Sequence, residues 1–81
     1  MSLTPRQAEL LLGNLCQWLG FCLPPAERVG LRDHPPETPR SFTDAVFLAE
    51  GLDPVTADSE TYKQVKVMVT NAFAGINDRP A

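Results

Sequence analysis

Apolar residues recur along the first third of the chain at steps of three and four. Ala8, Leu11, Leu12, Leu15, Leu19 and Cys22 therefore share one face of a helix. Leu10 and Trp18 lie outside that stripe, and the polar remainder is narrow: Glu9, Gly13, Gln17 and Gly20. The helix has a clear start. Thr4 is suited to cap, Pro5 to occupy the first helical position, and Gln7 to complete a capping box. Gly20 predicts its end, because glycine enters the left-handed closing conformation without a side-chain clash. A helix this apolar is either central in a core or shared with a partner.

Pro24-Pro25 restarts the chain, and Pro25–Asp33 predicts a short second helix weakened by Gly30. Pro35, Pro36 and Pro39 then predict an extended loop from His34 to Arg40. A third helix is expected to open at Ser41, with Asp44 favourable to its positive end. Phe42, Ala45, Val46 and Ala49 share its face, with Phe47 and Leu48 beside them. Gly51 predicts the stop, Leu52 folding back onto Phe47, and Asp53-Pro54 a capped turn.

A fourth helix is expected from Thr56 or Asp58 to Ala74, with Tyr62, Val65, Val69, Ala72, Phe73 and Ile76 on one face. Val65-Lys66-Val67-Met68-Val69 also alternates as a strand would. Helix is preferred, because a lone strand leaves its backbone groups unpaired. Gly75 signals a stop. The predicted architecture is all-α: a small irregular four-helix bundle, long-short-short-long, with partly orthogonal packing. It forms one domain over residues 1–81, of which 76–81 are expected to be a frayed tail.

Length makes stability marginal. By area scaling, burial contributes on the order of 120 kcal/mol, and ordering the chain costs about the same. A partner would help. No apolar run reaches the roughly 20 residues of a membrane span; Leu10 to Leu23 is interrupted by Gly13, Asn14, Gln17 and Gly20. The N-terminus lacks the basic and apolar regions of a signal peptide, so a cytoplasmic protein without membrane contact is expected.

Charge narrows the partners further. The net charge is −3, and the seven Lys and Arg residues are scattered. Nucleic-acid binding wants a basic patch and is not expected. Negative charge is concentrated instead: Asp44, Glu50, Asp53, Asp58 and Glu60 fall within residues 41–62, which hold no Lys or Arg.

Candidate chemistry is sparse. Cys16 and Cys22 would lie about 9 Å apart along a continuous helix, beyond the roughly 7 Å reach of a disulfide. A bridge needs a break at Gly20, and the expected state is two buried free thiols, as in a reducing cytosol. Two cysteines and His34 do not make a zinc site, nor Asp53 and Asp58 a calcium loop. No metal or cofactor is expected, and no catalytic residue: His34 lies in a Pro-rich loop with no orienting group near it in sequence. Size, acidity and helix count are similar to acyl carrier proteins. Their Asp-Ser-Leu motif is met only by Asp58-Ser59, with Glu60 in place of leucine and too late in the chain. The third and fourth helices resemble a helix-turn-helix with Gly51 in the turn. The second helix opens with Asp58, Ser59 and Glu60, which would meet phosphates with like charge.

The expectation is a small acidic protein-interaction module: a small bacterial regulator, an inhibitor or an immunity-type protein. The alternative is a homodimeric structural domain. Trp18, Phe21, Leu10, Leu23 and Phe47 are in surplus for so small a core, and of these Leu10, Trp18, Phe21 and Leu23 are the candidate contacts, suited to a two-fold homodimer. The acidic residues Asp44, Glu50, Asp53, Asp58 and Glu60 form a second candidate surface, for a basic partner.

Overall fold

The computed structural model describes residues 3–74. Four helices follow one another: α1 (Pro5–Leu19), α2 (Pro25–Asp33), α3 (Pro39–Ala49) and α4 (Ser59–Phe73). Among the described residues there is no strand, and the chain is the expected small four-helix bundle. The stop expected at Gly75 and the frayed tail expected over 76–81 lie outside the described residues.

The α1 start is a complete capping box. Gln7 N–H donates to Thr4 Oγ1 at 3.1 Å, and Thr4 N–H donates to Gln7 Oε1 at 2.9 Å. Leu3 and Ala8 flank the cap and are both buried, which places an apolar residue on either side of it, as in a hydrophobic staple. At the far end Gly20 takes φ 78°. Its N–H donates to Cys16 O, and Phe21 N–H donates to Leu15 O, both at 3.1 Å.

This turn overturns the cysteine expectation. Gly20 reverses the chain after α1, so Cys22 comes back beside Cys16 instead of continuing up the helix axis. Their Cα atoms are 4.3 Å apart and the two form a disulfide. The described chain holds no free cysteine. The straight-helix separation does not apply once the helix ends between the two residues.

The start of α3 also differs from expectation. Thr38-Pro39 repeats the Thr4-Pro5 arrangement: Thr38 Oγ1 accepts from Ser41 N–H at 3.1 Å, and Pro39 takes the first helical position. Pro39 and Arg40 are therefore helical, and Ser41 sits inside the first turn. Thr43, on the buried side, donates its hydroxyl to Pro39 O at 2.8 Å, so its burial leaves no polar group unpaired. At the other end Gly51 N–H donates to Leu48 O at 3.0 Å, and Leu52 N–H to Phe47 O at 2.8 Å. With Gly51 at φ 79°, this is a Schellman closure.

Asp58 caps α4 by accepting from Thr61 N–H at 3.1 Å. Val65 and Val69 are fully buried while Val67 is exposed. A strand would have put all three on one face, whereas helical spacing separates the middle one.

The core joins Leu11, Leu12 and Leu15 of α1, Phe42, Val46 and Phe47 of α3, and Val65 and Val69 of α4. Phe47 lies between Phe21, at 5.1 Å between ring centres, and Tyr62, at 5.3 Å. Phe42 meets Phe73 edge-on at 6.2 Å. α4 packs against both α3 and α1. α2 packs on α1 and buries no residue fully; Leu31 rests on the core, and Arg32 reaches Glu9 at 3.7 Å.

Candidate functional site

The structure sorts the sequence-predicted contact residues into three groups. Phe21 and Phe47 belong to the core: the Gly20 turn points Phe21 inward against Phe47, a correction to the expected place of both among the surplus apolar residues. Leu23 is half-buried and also rests on the core. Leu10 and Trp18 remain on the outer side of α1, Trp18 with 72% of its surface exposed. Cys16 and Cys22 flank Trp18 in sequence, so their disulfide closes the segment that carries it. The segment from Leu10 to Leu23 itself holds no charged residue, while the Arg28 guanidinium of α2 lies beside Gly13.

The acidic residues gather on the corner joining α3 to α4. After the Gly51 closure, Asp53 organises the connection. Its Oδ1 accepts from Val55 N–H at 2.9 Å and its carbonyl from Thr56 N–H at 3.2 Å. That arrangement is the turn expected of Asp53-Pro54, and it holds Val55 outward, 88% exposed. Leu48 and Leu52 are exposed on the same stretch. Asp53, Asp58 and Glu60 are exposed alongside them. The corner is thus mixed, with apolar side chains among carboxylates.

Asp44 has a different role from the one expected. With α3 starting at Pro39, it is past the first turn and accepts a hydrogen bond from the Tyr62 hydroxyl at 2.7 Å. That bond to Asp44, with burial and the carboxylate charge adding to it, raises the Tyr62 hydroxyl above its usual value of 10.0; nearby Arg40 acts the other way. Arg40, Asp44, Pro54, Val55 and Tyr62 line a cleft of about 360 Å³ between α3, the connection and α4. Its walls combine a carboxylate, a phenol and a guanidinium with an apolar rim.

Glu50 is the least comfortable residue of the corner. It follows α3 directly, where the negative end of the helix disfavours a carboxylate. Its Oε2 is shut off from solvent and is the one such side-chain oxygen without a hydrogen-bond partner among the described residues. Ion pairs among the described residues are those of Arg32 with Glu9 and Asp33, and none engages the corner.

A second hollow, of about 280 Å³, runs along α4 and includes Lys63, Lys66, Val67, Thr70 and Asn71 in its lining. Among the described residues its charged lining is two lysines, so it is separate in character from the acidic corner. Among the described residues no three of His, Cys, Asp and Glu are grouped to hold a metal.

Sequence reasoning missed Leu48, Leu52 and Val55 as surface residues, and missed the Tyr62–Asp44 pair. Val55 carried a signal: it stands outside every helical stripe, between Pro54 and Thr56. The pair spans eighteen positions and had none. No protein-family model matches the chain, and comparison with curated proteins and with solved structures returns no similar protein.

Proposed function

We propose that the chain is a small acidic protein-interaction module, in the manner of a regulator, an inhibitor or an immunity-type partner, and that it works without catalysis or a cofactor. The supporting observation is the set of large apolar side chains left outside a closed core. Trp18 and Leu10 stand out from α1, and Leu48, Leu52 and Val55 from the α3–α4 corner. Single exposed apolar residues are ordinary. An exposed tryptophan is less so, because its large area contributes most when an interface covers it.

Self-association is the second reading, and a separate observation favours it. The segment from Leu10 to Leu23 holds no charged residue, so two copies meeting around Trp18 would bring no like charges of that segment together. Light scattering across a concentration series tests it. A mass above 8.9 kDa that falls back in Trp18→Ala assigns α1 to self-association. A monomer throughout that also retains no binding partner removes the module reading.

The reading assigns no nucleic-acid partner, since α4 opens with Asp58 and Glu60. No helix among the described residues is long and apolar enough to cross a membrane. The cytoplasmic placement expected from the N-terminal sequence and from free thiols now competes with an oxidising compartment, where a disulfide such as Cys16–Cys22 persists. The thiol content of the protein as isolated from cells decides between them.

A further inference from the structure

We infer that the α3–α4 corner docks a basic amphipathic helical segment of a partner protein, and that Glu50 receives one of its Lys or Arg side chains. The inference rests on the interaction-module reading and specifies its partner. Charge complementarity carries it first. Residues 41–62 hold five acidic side chains and no Lys or Arg, a local charge of −5 in a chain of net −3, so all other residues together carry +2. Arg40 stands beside the Tyr62–Asp44 pair and offsets Asp44 in part. Glu50, Asp53, Asp58 and Glu60 have no ion-pair partner among the described residues.

The apolar side of the corner favours an amphipathic segment over a merely basic chain. Leu48, Leu52 and Val55 are exposed within eight positions, and Val55 forms the rim of the 360 Å³ cleft. An amphipathic helix lays apolar side chains into such a surface while its flanking cations meet the surrounding carboxylates.

Glu50 supplies an independent argument. A carboxylate at a helix C-terminus, with one oxygen out of water and unpaired, works against the stability of the free chain. A cation brought by a partner opposes the negative helix end and, once the half-buried Glu50 side chain turns outward to meet it, pairs the oxygen. Residues that break local rules in this way are expected where a protein binds. Substituting Glu50 should therefore move stability and binding in opposite directions, which a purely structural residue would not do.

The test titrates the full chain with a synthetic Leu/Lys amphipathic helical peptide and with its Leu/Glu counterpart, following amide shifts by NMR and affinity by calorimetry. The expected result is shifts centred on residues 48–60 with the Leu/Lys peptide and none with Leu/Glu. Glu50→Gln should melt higher than the parent and bind roughly tenfold more weakly or worse. Val55→Ser should bind severalfold more weakly at unchanged stability, and Trp18→Ala should bind as the parent does. Unchanged affinity in Glu50→Gln overturns the role of Glu50. Unchanged affinity in Val55→Ser reduces the effect to general charge attraction and overturns the docking site. Shifts centred on α1 overturn the corner while leaving the module reading intact. Absence of binding also overturns the corner, and the module reading is then judged on the light-scattering and partner-retention result alone.

Discussion

Tyr62 donates its hydroxyl to Asp44 Oδ1 at 2.7 Å, so α4 is tied to α3 by one charge-assisted hydrogen bond between residues eighteen apart. The same ring packs against Phe47 from the core side. Tyr62→Phe keeps that packing and removes the bond. It should cost about 1.5–3 kcal/mol, the range for a bond to a charged group, lowering the melting temperature by about 4–8 °C for each kcal/mol in a domain of this size.

The pair also predicts a pH dependence. Asp44 raises the Tyr62 hydroxyl above 10.0, so folding favours the protonated phenol. The stabilisation is fully present below the value of an unfolded tyrosine, near 10.0. As pH climbs from there through the raised folded value, the unfolded chain gives up its proton first, and the stabilisation is lost. Urea unfolding at a series of alkaline pH values should show this decline in the parent and a shallower one in Tyr62→Phe.

Reducing the Cys16–Cys22 bond should destabilise the chain. The bridge closes a short loop, with a sequence separation of six. Loop-closure entropy then assigns it about 2 kcal/mol. Calorimetry with and without a phosphine reductant should show a lower melting temperature on reduction. The double variant Cys16→Ser/Cys22→Ser should match the reduced parent and ignore the reductant. A reductant-insensitive parent would mean that the Gly20 turn and Phe21 packing hold this end of α1 alone.

The same substitution should have opposite signs at two glycines. Gly51 adopts φ 79°, which an alanine tolerates poorly even though nothing lies within 4 Å of the added Cβ. Gly51→Ala should destabilise by about 1 kcal/mol. Gly30 sits inside α2 with equally open space and no positive φ. Gly30→Ala should stabilise by up to about 1 kcal/mol. Denaturant midpoints of the two variants, measured side by side, check both.

Truncation should separate core from surface. Phe47→Ala removes a fully buried ring held between Phe21 and Tyr62, and should cost about 3–5 kcal/mol, enough to unfold a domain of marginal stability. Trp18→Ala, at an exposed position, should stay within about 0.5 kcal/mol of the parent. Circular dichroism melts of both decide it. A large loss for Trp18→Ala would place that ring in packing and weaken its claim to a contact surface.

Local chemistry determined the elements. The Thr4-Pro5-Gln7 box, the Gly20 and Gly51 stops, the Asp58 cap and the three- and four-residue apolar stripes are all short-range, and each set a helix end or a buried face within a few residues. The net charge and the unbroken acidic stretch from Asp44 to Glu60 were likewise a matter of composition alone. Even the late start assigned to α3 was a misreading of a local signal, since Thr38-Pro39 carries the same cap as Thr4-Pro5.

The tertiary structure decided whatever depends on where the chain goes after a turn. Cys22 meets Cys16 because one left-handed residue redirects the backbone, and spacing along a helix says nothing about that reversal. The same turn carries Phe21 into the core and leaves Trp18 outside, though both are large aromatic residues three positions apart. The Asp44–Tyr62 bond arises only when α3 and α4 are packed, since it depends on distance between segments remote in sequence, and the seclusion of the Glu50 oxygen is a property of the folded chain. Helix ends obey nearest-neighbour rules; contacts and burial obey the geometry of the whole packing, and the candidate surfaces of this protein are made of the second kind.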